Sequence, residues 1–244
     1  MGKVQKNTEQ AMAELLRGSG ASSISERPRR LILPEGLHDR ILATIEQSQD
    51  GRERSVKLNY LAGTWQAGKP KVGETDHVAT KPYLFRPHIR MHTHPTPDKD
   101  AQDQSMREMG IKRGWNKEKT LKMIGANWQA YQGYYMLPSE ADVRNCYPKS
   151  TGVIGNMIGS EGGIFFSLRK DLLDKENIGV SNLTDGYESA RKYDAKITEA
   201  VNMYLSTEDT TAFVLNAAAR ALDHKYTIYF GQDFESPELT RVDH

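Results

Sequence analysis

The sequence predicts a mixed α/β fold of the α+β kind, a β-sheet with helices packed on it. Three observations carry this. Short apolar runs alternate with polar residues at several points, as half-buried strands do. Longer segments repeat apolar residues every three or four positions, as amphipathic helices do. The composition suits a globular core, since 37% of the 244 residues are hydrophobic and 27% are charged.

The elements follow in order. Residues 7–16 carry a helical pattern, with Ala11, Met12, Leu15 and Leu16 on one side. The Gly-Ser-rich stretch 18–23 ends it and reads as a flexible linker, so residues 1–28 are expected to be an arm outside the core. Residues 31–33 form a short apolar strand. Pro34 then opens a helix to about residue 47, with Leu37, Ile41, Leu42 and Ile45 as its buried stripe. Val56, Leu58 and Tyr60 alternate with polar residues, so 53–64 is a strand ended by Gly63. A polar hairpin region follows, with Gly68, Pro70 and Gly73, and 77–80 is a further short strand. The run 89–94 is a strand stopped by Pro95.

Residues 98–133 differ in being polar and charged, with helical stretches at 100–109 and 118–124. Residues 134–137 read as a strand, broken by Pro138, and Ser139 can cap a following helix. Gly159 to Gly163 lacks the ending and context of a phosphate loop and reads as a hairpin turn before a strand at 162–168. Helices at 185–205 and 207–222 and a strand at 226–230 close the chain. The expected organisation is therefore an arm (1–28), a main domain (29–183) that contains the polar stretch 98–133, and a C-terminal helical extension with a final strand (184–244).

The bulk properties exclude several classes. A formal net charge of +1 leaves no global basic field for nucleic acid. The lone cysteine, Cys146, permits neither an intrachain disulfide nor a cysteine-rich zinc site. No apolar run approaches the roughly 18–20 residues that span a bilayer, and the polar N-terminus has no signal-peptide core. A cytoplasmic protein is expected.

The densest chemistry lies at His92-Thr93-His94-Pro95. Residues two apart on a strand share a face. His92 and His94 would therefore offer two neutral imidazoles to one ion, and a catalytic zinc needs a third protein ligand. Ser139 and Asp142 are three apart, near the first turn of a helix, so Asp142 can be that ligand and Ser139 can reach a substrate oxygen. His88 shares the strand face and could be an extra ligand or a partner behind one, but a solvated histidine is the expected reading. His77 also lies near the site in sequence, whereas His38, His224 and His244 carry no companion pattern. A zinc deaminase would need a Pro-Cys-x-x-Cys pair, which one cysteine rules out.

A His-Thr-His-Pro followed by Pro-Ser-x-x-Asp resembles the JAMM/MPN (JAB) zinc metalloprotease family, as does the strand, helix and strand before it. The likeness covers about residues 31–170. It implies a twisted mixed sheet with flanking helices, Zn2+ held by His92, His94 and Asp142, and hydrolysis of a peptide or isopeptide bond. The implied partner is a protein or peptide substrate, in many members a ubiquitin-like conjugate. The resemblance gives Ser139 the stabilisation of the oxyanion. It puts a catalytic glutamate on the strand after the first helix, where Glu53 stands, with Glu46 and Glu74 as alternatives. The gap from His-Pro to Ser is longer here than in the family, so 98–133 is an insertion, either a lid and recognition element or a decoration covering an edge. Its Trp115, Trp128, Tyr131, Tyr134 and Tyr135 would pack its core or form a binding surface. A scaffold that has lost catalysis and a bacterial or phage peptide-processing hydrolase are the competing functions.

Overall fold

The computed structural model describes residues 2–21, 23, 26–73, 87–96, 98–125, 136–139, 142–143, 153–170, 183–204, 210–223 and 226–243. Its centre is a nine-stranded mixed sheet. The strands are β1 (Arg30–Ile32), β2 (Arg54–Leu61), β3 (Thr64–Ala67), β4 (Lys71–Val72), β5 (His88–Thr93), β6 (Val153–Ser160), β7 (Gly163–Arg169), β8 (Tyr226–Gly231) and β9 (Glu238–Arg241). Their order is β1-β9-β8-β7-β6-β5-β2-β3, with β4 beside β2. Only the β5–β6 pair is parallel among the paired strands.

Side chains alternate across a strand, so the register sorts them into two faces. One row runs Val56, Met91, Met157, Phe166, Tyr229. It joins a core with α1 (Gly2–Leu16) and α2 (Glu35–Gln47), through Met12, Leu15, Leu37, Ile41 and Ile45. The next row runs Ser55, His92, Ile158, Phe165, Phe230. Its apolar part meets a second core from α5 (Leu183–Tyr204) and α6 (Thr210–Leu222), through Tyr193, Ile197, Val214 and Ala218. Between β5 and β6 lie α3 (Lys99–Lys112), capped by Asp98 through the Asp100 and Ala101 amides, and α4 (117–125).

Several expectations form as read. The helix after Pro34 is Glu35–Gln47, and the β2 strand turns back through Ala62 and Gly63, both at positive φ (50° and 86°). Two such residues make the tight hairpin turn that matches strand twist. Other readings are corrected. The predicted arm is not outside the core: Ala11, Met12 and Leu15 are fully buried in the first cluster, because α1 lays its apolar stripe on that side of the fold. The C-terminal segment is no mere extension, since β8 pairs with β7 and β9 pairs with β1, so it completes the same sheet as the preceding strands. The strand read at 134–137 is a turn at its described residues, Met136 and Leu137. The strand at 77–80 lies outside the described residues.

Strand β6 was not anticipated. All eight of its residues are buried, so it has no polar side to give an alternating pattern, and its glycines look like loop. Gly159 is needed there: a Cβ would sit 2.6 Å from Ile45 Cγ1, so only glycine lets α2 lie this close to the sheet. Among the described residues, no helix is long and apolar enough to cross a membrane.

Candidate metal centre

The site forms at the C-terminal end of β5. His92 belongs to the strand, and its register partners Ser55 and Ile158 fix which face it takes. His94 lies one residue past the strand end. Its backbone N–H still donates to the Gly159 carbonyl at 3.0 Å, which carries the extended geometry on through both histidines. Thr93 between them is fully buried, and its hydroxyl accepts the Arg54 N–H at 2.9 Å. That bond ties the ligand segment to the head of β2.

Asp142 arrives from elsewhere in the sequence. Leu137 and Val143 on either side of it are buried with Ile158 and Phe165 in the second core. They set Ser139 and Asp142 against the sheet face that carries His92. There the Asp142 N–H donates to Ser139 Oγ at 3.1 Å, and the Ser139 N–H donates to Asp142 Oδ2 at 2.8 Å. This reciprocal pair is a capping box with aspartate in the glutamate position.

Three Lewis-basic groups therefore converge. His92 Nε2 is 3.1 Å from His94 Nε2 and 3.2 Å from Asp142 Oδ1, and His94 Nε2 is 3.5 Å from Asp142 Oδ2. Their side chains are 14–21% exposed, so solvent reaches them only in part. Burial pushes the Asp142 carboxyl up, but the His92 and His94 imidazoles, by charge and by hydrogen bond, outweigh it and hold the carboxyl well below the usual carboxylate range. The group is the one cluster of His, Cys, Asp or Glu of metal-holding size among the described residues.

The donor set fits a metal. Zinc bonds of about 2.0–2.2 Å in a tetrahedron put neighbouring ligand atoms about 3.3–3.5 Å apart, near the 3.1 Å between the imidazoles and the 3.2 Å from His92 to Oδ1, while His94 lies 3.5 Å from the other carboxylate oxygen, Oδ2. Two imidazole nitrogens and a carboxylate suit zinc and other transition ions better than calcium or magnesium, which prefer oxygen.

The remaining predicted residues fall in different places. Glu53 is buried, 7% exposed, immediately before β2. Its carbonyl accepts the Gly73 N–H, and two residues on Ser55 pairs with His92. The pleat thus brings Glu53 to the site end of the sheet, outside the three-residue ligand group. Glu46 is exposed on α2, and Glu74 lies outside the described residues. His88, expected to be solvated, is fully buried on β5 opposite Asn59 and is not one of the converging ligands. A strand covered on both sides leaves it no route to water. His38 Nε2 sits 3.1 Å from the Phe234 carbonyl, a link between α2 and the C-terminal loop. Trp115, between α3 and α4, is half-buried beneath the cations of Arg113 and Lys119. Cys146, His77, His224, Trp128, Tyr131, Tyr134, Tyr135 and His244 lie outside the described residues.

The sequence reading missed Thr93 and Gly159, which hold the ligand segment in place. Thr93 sits inside the motif, but its role depends on β2 lying alongside, which no local pattern reveals. No protein-family model, curated protein or solved structure matches this chain.

Proposed function

We propose that this chain is a zinc-dependent hydrolase of the JAMM/MPN type that cuts a peptide or isopeptide bond, removal of a ubiquitin-like modifier being one form of that reaction. The observation that carries the reading is the grouping of His92, His94 and Asp142 closely enough to hold one metal ion, with contacts of 3.1, 3.2 and 3.5 Å between them. Three lone-pair-bearing atoms aimed at a common centre repel unless a cation or shared protons lie between them. The finer fold reading, an MPN-like sheet, belongs to the same proposal. The mixed sheet and the order of strand, helix and strand before the histidines support it.

Zinc held there would supply a Lewis acid that polarises the scissile carbonyl and makes water acidic near neutral pH. The chain's own residues do the rest. His92, His94 and Asp142 would hold the metal, and their partly exposed side chains would leave it open to water and substrate. Glu53, close to the site and not a ligand, accepts the proton from the attacking water and returns it to the leaving amine. Ile158, the register partner of His92, and Phe165 give the same face an apolar, buried flank, where charge interactions are stronger than in water.

Elemental analysis tests the metal first. The purified chain should carry about one zinc, as a three-ligand catalytic site does, and His92→Ala/His94→Ala should carry none. A chain that takes up no zinc even when zinc is supplied would overturn the hydrolase reading and favour a scaffold. A zinc-loaded chain is then assayed against ubiquitin-like conjugates and peptides, with Glu53→Gln as the inactive control.

A further inference from the structure

A serine hydroxyl has one proton to donate and two lone pairs to accept with. Ser139 spends that proton inside the site: Oγ donates to Asp142 Oδ2 at 2.7 Å. Its own backbone N–H reaches the same oxygen at 2.8 Å, while a lone pair of Oγ takes the Asp142 N–H at 3.1 Å. Oδ2 therefore receives two donors from one residue. Oδ1, which Ser139 does not touch, is the oxygen 3.2 Å from His92 Nε2.

An oxyanion is stabilised only by a proton aimed at it. The Ser139 hydroxyl cannot give its single proton to the substrate and to Asp142 at once. Asp142 is the stronger claimant, being ionised, fixed in the same turn and already aligned. Rotating the hydroxyl away would strip one of the two donors from Oδ2 in a mostly buried place.

We propose, resting on the zinc reading above, that Ser139 is a positioning residue for the metal ligand Asp142 and not a donor to the substrate oxygen. It locks the carboxylate through Oδ2, which stays 3.5 Å from His94 Nε2, and thereby presents Oδ1 towards His92. Ligating carboxylates are generally held by such outer partners, and losing one costs about 10–100-fold in metal affinity. The oxyanion then depends on the metal and on groups other than Ser139.

The test is zinc affinity of the full chain, measured by competition with a chromophoric chelator, which needs no substrate. Ser139→Ala should weaken zinc by about 10–100-fold. Ser139→Thr keeps the hydroxyl and should restore most of that loss, which also guards against a misfolded alanine variant. In an Asp142→Ala background, Ser139→Ala should weaken zinc no further, because the carboxylate it serves is gone. Ser139→Ala binding zinc as tightly as the parent would overturn the proposal, most clearly if hydrolysis still fell. A further loss in the Asp142→Ala background would also overturn it, by showing a general loosening of the turn. A parent chain that binds no zinc sinks the hydrolase reading itself and this proposal with it, an outcome distinct from either.

Discussion

The two faces of the central sheet are built from the same strands, one residue out of step, and they do different work. On the face against α1 and α2, the row Val56, Met91, Met157, Phe166, Tyr229 is apolar along nearly its whole length. The other face changes character across the strands. Its rows begin as Ser55 and His92, or Lys57, Arg90 and Asn156, and become Phe165 and Phe230, or Ile228, towards β8. The first face is continuous core. The second is core only under α5 and α6, and polar where β2 and β5 meet. The alternation His92, Thr93, His94 means that a slip of one residue in β5 would bury both histidines in the first core. The apolar face thus fixes the register that the functional face needs.

Substitutions on the two faces should separate stability from chemistry. The largest effect belongs to Glu53→Gln, which should keep zinc and lower turnover by roughly 10²–10⁴-fold, the usual worth of a general base. Unchanged turnover in that variant would remove Glu53 from the mechanism. On the other face, Phe166→Ala should cost about 3–5 kcal/mol in urea unfolding, since Phe166 is fully buried. It should leave zinc stoichiometry intact wherever the chain is still folded. Loss of zinc from folded Phe166→Ala would show that the faces are less separable than their register implies.

Thr93 tests the seam between the faces. Thr93→Val keeps the shape but leaves the buried Arg54 N–H without its acceptor, at a cost of about 1–3 kcal/mol. Thr93→Ser should recover most of this in the same unfolding measurement. Equal stability of the valine and serine variants would show that the bond is dispensable.

The smallest effect is at the rim. The paired hydrogen bonds from Arg54 hold the Asp50 carboxyl at about 2, against an ordinary 3.8. A lowered carboxylate stabilises the fold above its unfolded value, and that contribution is lost as pH falls from about 4 towards 2. The pair is exposed on the Asp50 side, so the gain is small. Asp50→Asn should flatten the acid limb of a stability–pH curve over that window and leave the neutral region nearly unchanged. The first face carries the opposite case. Burial raises the Tyr229 hydroxyl to about 12, so the neutral phenol is favoured in the fold. Stability from it is full below pH 10 and is lost as pH rises from about 10 to 12. Tyr229→Phe should remove that alkaline loss, read by the same curve.

The sequence by itself determined the parts that depend on neighbours along the chain. The amphipathic stripe of α2, the alternation in β2 and the shared face of His92 and His94 are all local, because helix and strand periods fix where successive side chains point. The capping pair Ser139 and Asp142 is local as well, three residues apart in one turn. Only the tertiary structure decided what meets across distance. It set Asp142 beside the histidines, brought Glu53 to the same end of the sheet and turned Thr93 into the tie between β5 and β2. It buried His88, made β6 a central strand with no exposed side to betray it, and paired β1 with β9 from the far end of the chain. The reason is common to all of these: each rests on a hydrogen bond or a buried contact between segments far apart in sequence, and no periodicity within either segment records the partner.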